Sequence, residues 1–211
     1  MKSDIQVSCN DVMGDDLTVV NAARVSFSKH KTEMGLGDKA LIAYLAKHKH
    51  ISPFGHCFAS FTVKAPIFVA RQLVKHKFLR WNEVSRRYVS SEPEFYEPEW
   101  REATTDKKQG SGAAHTDCEG FDKHYGYLMN DCARLYKHLL DHGVCEEQAR
   151  TVLPLSTMTE WWWSGSLDAF AAMCKLRCAP DAQAETRIVA NKISEIMGRN
   201  FPVSWKELMN V

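Results

Sequence analysis

The segment from residue 71 to residue 88 concentrates side chains that bind anions. It reads Arg-Gln-Leu-Val-Lys-His-Lys-Phe-Leu-Arg-Trp-Asn-Glu-Val-Ser-Arg-Arg-Tyr and holds seven basic residues when His76 is included. Arginine forks and lysine point charges are typical of phosphate and carboxylate sites. Serine hydroxyls and loop N–H groups complete such sites. Because charged runs also occur on solvent-exposed surfaces, the residues alone leave two interpretations open. The segment is either an anion-binding site or a solvated basic surface.

The periodicity on either side predicts the elements that carry this segment. Residues 54–63 alternate between apolar and polar positions, which predicts a strand. Pro66 suits the first position of a helix, and residues 67–75 continue with helical spacing. Residues 78–90 break the periodicity and are dense in charge, so we expect them to be irregular.

The remaining patterns predict a helix-rich chain with few strands. An edge strand is expected near residues 5–9 and a second strand at 159–163, with polar loops at 28–37 and 107–112. Helices are expected at 17–25, 38–48, 114–142, 145–152, 166–176, 181–197 and 202–209. The sequence therefore predicts an α+β fold, helix-rich with a small antiparallel or mixed sheet, as a single domain over residues 1–211.

Composition argues against several classes of function. The formal net charge is +1, with 45% hydrophobic and 25% charged residues, whereas coating nucleic acid or an anionic membrane requires a clear basic excess. The seven cysteines are scattered without a CxxC pair, which favours reduced thiols over a disulfide framework. No apolar run approaches the roughly 20 residues of a membrane span. These features predict a soluble, cytoplasmic protein.

One spacing within the basic segment resembles a known signature. Lys75-His76-Lys77 is followed after seven residues by Ser85. This resembles the Arg-His-Arg, seven residues, Ser signature of flavin-dependent thymidylate synthases, with lysine in place of both arginines. Further stretches resemble the family in the right order, at residues 22–26, 48–56, 64–72, 82–88, 149–155 and 175–177.

The resemblance implies a flavoprotein methyltransferase. Such enzymes convert dUMP to dTMP with methylenetetrahydrofolate as carbon donor and FAD reduced by NADPH, and they are homotetramers whose sites combine residues from several subunits. The residues implied to bind the nucleotide are Gln72, Lys75, Glu83, Ser85, Arg86, Arg87, Arg150 and Arg177. Those implied to bind FAD are His50, Ser52, Lys75, His76, Lys77 and Glu83. Arg177 is implied to be catalytic by favouring ionisation of the pyrimidine, and no metal is implied.

Several positions depart from the family pattern. Besides the two lysines, Gly55 replaces a common acidic residue, and Asp181 replaces a frequent histidine. Flavin-contacting positions of many relatives hold different residues here, namely Ser166, Asp168 and Ala172. Two alternatives therefore stay open, a related enzyme that makes a product such as a hydroxymethylated pyrimidine nucleotide, and a nucleotide-binding relative without turnover. A nucleic-acid-binding module that uses the basic run is a third, against which the near-zero net charge argues.

Other patterns are interpreted as structural. Residues 35–40 mimic GxGxxA, but no apolar strand precedes them, so a dinucleotide-binding fold is not expected. His48, His50 and His56 lack a metal-ligand spacing. Cys174 and Cys178 are interpreted as core thiols. Residues 161–163, three consecutive tryptophans, are interpreted as core or subunit-interface residues rather than a base-stacking platform.

Overall fold

The computed structural model describes residues 4–105, 110–116 and 118–211. Its strands are β1 (Gln6–Met13), β2 (Phe58–Pro66), β3 (Leu79–Glu83) and β4 (Met158–Ser166). Its α-helices are α1 (Asp16–Arg24), α2 (Leu36–Lys47), α3 (Ile67–Leu73), α4 (Glu119–Asp141), α5 (Glu146–Ala149), α6 (Leu167–Arg177), α7 (Ala184–Asn200) and α8 (Pro202–Met209). Short 3₁₀ turns lie at Val25–Phe27, Ser52–His56 and Arg150–Val152. Residues 107–109 of the predicted 107–112 loop lie outside the described residues.

The four strands form one antiparallel sheet in the order β1-β2-β4-β3. The predicted α+β class is confirmed, and β1 lies at an edge as expected. Apolar residues alternate along β2, so Phe61 and Val63 are fully buried against Trp163 and Trp161 of β4. Phe170 of α6 completes the layer, with its ring centroid 5.1 Å from that of Phe61. A sheet buried on one face by helices follows from this alternation.

The prediction that residues 78–90 are irregular is wrong for its first part. Leu79–Glu83 forms β3, an edge strand antiparallel to β4. Polar residues stand at every second position, and the strand is held mainly by Trp81, whose ring stacks on Trp161 with 4.4 Å between centroids. Because only Leu79 and Trp81 of β3 are apolar, its alternation is too short to predict a strand.

Other boundaries moved by a few residues. The predicted strand at 54–63 begins later, at Phe58, because the preceding residues form the 3₁₀ turn Ser52–His56. Pro66 ends β2 and caps α3 with an extended backbone rather than occupying its first turn. The longest helix begins at Glu119 rather than residue 114. No helix in the described ranges is long and apolar enough to cross a membrane.

Gly165 permits the close approach of β4 to β3. A Cβ at this position would lie 2.3 Å from Leu79 Cδ2 and 3.2 Å from the carbonyl oxygen of Phe78. The Leu79 side chain can rotate, but the carbonyl belongs to the backbone. We therefore expect Gly165→Ala to lower the free energy of unfolding by about 1–3 kcal/mol, as overpacking does. Urea denaturation measures the change.

Gly126 provides the matched control for this substitution. It lies within α4, and a Cβ added there meets no atom within 4 Å. Because glycine destabilises a helix interior relative to alanine, we expect Gly126→Ala to stabilise the protein by about 0.5–1 kcal/mol. Equal effects from the two substitutions would contradict the close approach at Gly165.

Candidate active site

The predicted site residues fall into two groups at opposite ends of β3. Gln72 and residues 75–77 precede this strand, and residues 83–87 end or follow it. At about 3.3 Å per residue, β3 spans roughly 13 Å between the α-carbons of Leu79 and Glu83. Arg177 joins the first group and Arg150 joins the second, as the contacts below show.

The first group centres on a contact between Arg177 and His76. Arg177, the last residue of α6, donates a hydrogen bond from Nε to His76 Nε2 at 2.9 Å. An imidazole nitrogen that accepts must be unprotonated, so the ring is neutral and carries its proton on Nδ1. Burial, and then the positive charge of Arg177, lower the pKa of His76 below its ordinary value. The imidazole therefore orients the guanidinium without neutralising it.

The outer nitrogens of Arg177 remain available. Within the described ranges, its guanidinium makes no hydrogen bond besides the one to His76 and no ion pair. The side chain is half-buried. Such a guanidinium is preoriented and partly desolvated, and its two terminal NH2 groups are free. It is suited to bind a planar group that carries or develops negative charge.

Gln72 lies nearby on α3, but its amide is engaged within the chain. Its Nε2 donates to Gln183 Oε1, and its Oε1 accepts from Thr186 Oγ1 at 3.2 Å. These contacts attach α3 to the start of α7. One N–H and one lone pair of the amide are left for a ligand, so a nucleotide contact by Gln72 stays a prediction.

The second group lines a cavity of about 330 Å³ beside β3. Glu83, Arg86 and Arg150 lie on its wall, with Lys64, Glu94 and Glu160 among the other charged lining residues. Glu83 accepts hydrogen bonds from Thr159 Oγ1 at 2.8 Å and from Trp81 Nε1 at 3.1 Å. The strand pairing that the sequence did not predict therefore fixes the Glu83 carboxylate.

The arginines of this group are held by backbone oxygens. Arg86 donates from Nη1 to the carbonyl of Ser91 at 2.8 Å, and its guanidinium lies 5.7 Å from the ring centroid of Tyr136. Arg150 begins the 3₁₀ turn Arg150–Val152, and its Nε lies 3.3 Å from the carbonyl oxygen of Glu147. Both arginines keep N–H groups that can face the cavity.

Ser85 and Arg87 form a small polar unit after β3. The backbone N–H and the side-chain Nε–H of Arg87 both point to Ser85 Oγ, at 3.4 Å each. A backbone N–H, a guanidinium and a hydroxyl that converge in an irregular segment are the groups that bind phosphate oxygens. A larger cavity of about 1210 Å³, between residues 92–100 and α4, is lined by none of the predicted site residues.

The residues predicted to bind the flavin are exposed, except for the half-buried His76. Ser52 begins its 3₁₀ turn, and His50 lies two residues earlier. Lys75 and Lys77 project from the turn after α3 and, in the ranges that the structure describes, form no ion pair. Four basic or hydroxyl side chains among the predicted flavin residues are thus presented to solvent.

The structure adds one feature that sequence reasoning missed. In the part of the chain that the structure describes, the Oδ1 atom of Asp168 is buried without a hydrogen-bond partner, and it lies 3.9 Å from the position that a Cβ added to Gly55 would take. Both residues were singled out as departures from the family, but no sequence signal links them. This acceptor lies beside the Ser52–His56 turn and suits a donor from a ligand.

Comparison with known proteins finds relatives that match most of the chain. The family model described as "Thymidylate synthase complementing protein" matches residues 10–203. The flavin-dependent thymidylate synthase of Thermus thermophilus is 43% identical over 196 residues, which cover 92% of this chain and 72% of that enzyme. The enzyme of the same name from Kosmotoga olearia is 38% identical over 204 residues, or 95% and 88% of the two chains.

This chain belongs to the flavin-dependent thymidylate synthase family. Among solved structures, a UMP/dUMP methylase, PolB from Streptomyces cacaoi, bound with 5-Br dUMP, is similar with a TM-score of 0.88 and 29% identity. That match covers 99% of this chain and 96% of the other. The same methylase bound with 5-Br UMP gives a TM-score of 0.87 and 30% identity, over 99% and 95% of the two chains.

In this flavin-dependent thymidylate synthase relative, the pairing of His76 with Arg177 predicts a pH dependence. Because folding lowers the pKa of His76, the folded protein binds fewer protons than the unfolded chain just below the ordinary histidine pKa of 6.5. The contribution of His76 to stability is therefore present above that pH and is lost as the pH falls. We expect the imidazole resonances to titrate below 6.5 in an NMR titration.

Variants of two arginines test the cause of this shift. Arg177→Ala removes the neighbouring positive charge but leaves much of the burial, so the pKa of His76 should rise towards its ordinary value. Arg199→Ala, at an exposed arginine of α7, should leave the pKa unchanged. A His76 pKa that is the same in all three proteins would show that Arg177 does not act on the imidazole.

Proposed function

We propose that this protein catalyses the reductive methylation of dUMP to dTMP, with methylenetetrahydrofolate as carbon donor and FAD reduced by NADPH. The observation that carries the proposal is the orientation of Arg177 by neutral His76, which leaves the two terminal NH2 groups of the arginine free. The chain that holds this pair belongs to the flavin-dependent thymidylate synthase family. The assignment of substrate and co-substrates is drawn from this combination.

Arg177 would act on the pyrimidine. A guanidinium opposite the base stabilises negative charge that develops on its ring, and this charge makes C5 nucleophilic. No covalent enzyme thiol is needed. His76 acts through Arg177 as a positioning residue. Its Nε2 accepts a hydrogen bond from Arg177 Nε–H, which fixes the plane of the guanidinium group.

The polar unit after β3 would hold the nucleotide phosphate. The hydroxyl, backbone and guanidinium donors of this region belong to Ser85, Arg86, Arg87 and Arg150. Of these residues, Arg86 and Arg150 line the cavity. Glu83 is acceptor-only when ionised, so it would accept from an N–H or O–H of the ligand rather than approach the phosphate.

The residues at the other end of β3 fit a flavin nucleotide. Lys75 and Lys77 supply positive charge for a pyrophosphate, and Ser52 supplies a hydroxyl. The orphaned Oδ1 of Asp168 would accept from a hydroxyl of the cofactor, which gives a partner to an atom that has none among the described residues. When bound, the reduced flavin supplies the hydride of the reaction. This chain's residues hold and orient it.

The separation of the two groups supports an assembled site. Gln72 and Arg177 belong to the group that precedes β3, and the unit at residues 83–87 ends or follows this strand. We therefore propose a homotetramer in which a single nucleotide contacts the first group of one copy and the second group of another. The proposal predicts complementation between two variants that are each inactive.

Mixing the variants tests this arrangement. Arg177→Ala and Arg150→Ala proteins, unfolded together and refolded, should regain part of the wild-type activity, because some mixed sites receive both arginines. Each variant refolded alone should stay inactive. Activity that does not return in the mixture, although mixed oligomers are detected by mass spectrometry, would mean that each site uses the two arginines of one chain.

The reaction itself is tested with the purified protein. A visible flavin spectrum that bleaches with NADPH, followed by formation of dTMP from dUMP and methylenetetrahydrofolate, is the expected result. UMP should be offered in parallel, because the solved relative holds 5-Br UMP as well as 5-Br dUMP. The product mass separates methylation from hydroxymethylation. Tight dUMP binding without any product would instead favour a nucleotide-binding relative without turnover.

The two lysines of the signature give a further prediction. Lys75→Arg with Lys77→Arg restores the family's arginines, so we expect the affinity for FAD to stay equal or to rise, since arginine binds phosphate through two N–H groups. Flavin fluorescence quenching measures the dissociation constant. A marked loss of affinity would show that the surroundings have adapted to lysine.

A further inference from the structure

The amide of Gln72 is held by two side chains from the start of α7. Its Nε2 donates to Gln183 Oε1, and its Oε1 accepts from Thr186 Oγ1 at 3.2 Å. Thr186 is fully buried, and the two glutamines are partly buried. If the amide of Gln72 turned over, its oxygen would face the oxygen of Gln183, and two acceptors would meet without a proton between them. The two side chains therefore favour one orientation of Gln72.

Gln183 occupies a helix position that glutamine does not favour. It is the N-cap of α7, where Ser, Thr, Asp and Asn are preferred because their short side chains accept from the first N–H groups of the helix. Among the described residues, the Gln183 side chain makes no such capping bond, and it contacts Gln72 instead. The longer amide forgoes the cap and gains a contact with α3, which points to a use at Gln72 rather than at the helix end.

Gln72 lies on the same side of its helix as the Arg177–His76 contact. A backbone hydrogen bond from His76 to Leu73, at 3.1 Å, continues the helical turn beyond the end of α3. Side chains four residues apart in such a turn are neighbours. The remaining N–H of Gln72 and the guanidinium of Arg177 are therefore donors on one side of α3, and each is oriented by a side chain from another part of the chain.

We infer that Gln183 and Thr186 are positioning residues that make Gln72 selective for a carbonyl group on the pyrimidine. The inference rests on the function proposed above, in which the nucleotide contacts the group that contains Gln72. In its fixed orientation, Gln72 offers its remaining N–H to the C4 carbonyl oxygen of uracil. Cytosine carries an amino group at C4, so two donors would face each other and neither would have an acceptor. A freely rotating amide would turn its oxygen to the amino group and accept either base.

Binding of dUMP and dCMP without turnover tests the inference. The two nucleotides share their sugar and phosphate, so the ratio of their dissociation constants, measured by calorimetry, cancels effects on the rest of the site. We expect Gln183→Ala with Thr186→Val to lower the preference for dUMP about tenfold, since the cost of an unpaired donor is no longer enforced. The control is Gln6→Ala, the same truncation at an exposed glutamine of β1, which should leave the ratio unchanged.

Further variants distinguish positioning from a merely structural role. Gln72→Ala should lower the preference by the same factor, and adding the substitutions at 183 and 186 to it should cause no further loss, because they act only through Gln72. Gln183→Glu keeps an oxygen that accepts from Gln72. The preference should therefore be retained in this variant, although its added charge weakens the binding of both nucleotides.

Three results would overturn the inference. They are equal losses of affinity for dUMP and dCMP in the double variant, an additive loss in the triple variant, and a preference that falls in Gln183→Glu as far as in Gln183→Ala. If urea denaturation shows that the double variant does not fold, Gln183→Ala alone carries the test, with an expected loss of about threefold or more. A wild-type protein that prefers dUMP as expected but makes no dTMP would refute the proposed function alone. Formation of dTMP with the same ratio in every variant would refute the inference alone.

Discussion

Replacing Arg177 by alanine is expected to lower kcat for dTMP formation by about 10²–10³-fold, the range found when one preorganised donor to a developing anion is removed. The side chain is half-buried, is oriented by His76 at 2.9 Å, and keeps its outer nitrogens free. Alanine removes the charge without disturbing the end of α6. Steady-state assays of dTMP formation give kcat, and the visible spectrum of the bound flavin reports on the cofactor site independently.

Two further substitutions sharpen this prediction. Arg177→Lys retains the charge but loses the planar fork, so it should restore only part of the rate. Arg199→Ala, on the exposed face of α7, should leave kcat unchanged. If Arg177→Ala retained kcat within about threefold while still binding flavin and dUMP, Arg177 would not stabilise charge in the reaction.

Trp161→Ala is expected to lower the free energy of unfolding by about 3–5 kcal/mol, the usual cost of removing a buried tryptophan. Trp161 is 1% exposed and packs between β3 and the core. It stacks on Trp81 with an interplanar angle of 18°, and its ring centroid lies 6.4 Å from that of Trp163. Because Trp81 attaches β3 to the sheet, the substitution should also weaken dUMP binding through Glu83.

The next residue along β4 supplies the control. Trp162 points to the opposite face of the sheet and is 53% exposed. Trp162→Ala should therefore change the free energy of unfolding by no more than about 0.5 kcal/mol. Urea denaturation of the two variants, with their dUMP affinities, decides the question. A cost for Trp162→Ala that matched the cost for Trp161→Ala would mean that the sheet faces are assigned wrongly.

The same three tryptophans show how far sequence patterns reach. Their interpretation as packing residues is confirmed for Trp161 and Trp163, which alternate with Trp162 as a strand requires. Strong alternation in β2 and long helical spacing in α4 were likewise sufficient to predict those elements. β3 escaped prediction because its alternation covers only two apolar residues, Leu79 and Trp81. The strand is held by its pairing with β4 and by the stacking of Trp81 on Trp161, tertiary contacts that local patterns do not encode.

The candidate site shows a similar limit. The spacing from His76 to Ser85 identified the segment, and the order of further motifs identified the family, which the comparisons confirm. The roles of the individual site residues stay predictions. Neither the hydrogen bond between His76 and Arg177 nor the proximity of Asp168 to Gly55 could be read from the sequence, since each joins distant segments that only the fold brings together. The sequence identified candidate site residues, and the fold determines which other residues each of them contacts.

The position of β3 at the edge of the sheet has a consequence for apparent affinity. The strand has five residues and is paired on one side only, whereas β2 and β4 are paired on both sides, so it opens locally more easily than they do. Glu83 and the unit that follows it are in place only while β3 is docked. The measured dissociation constant for a nucleotide then equals the intrinsic one divided by the docked fraction. A substitution far from the ligand that undocks β3 would therefore imitate the loss of a ligand contact.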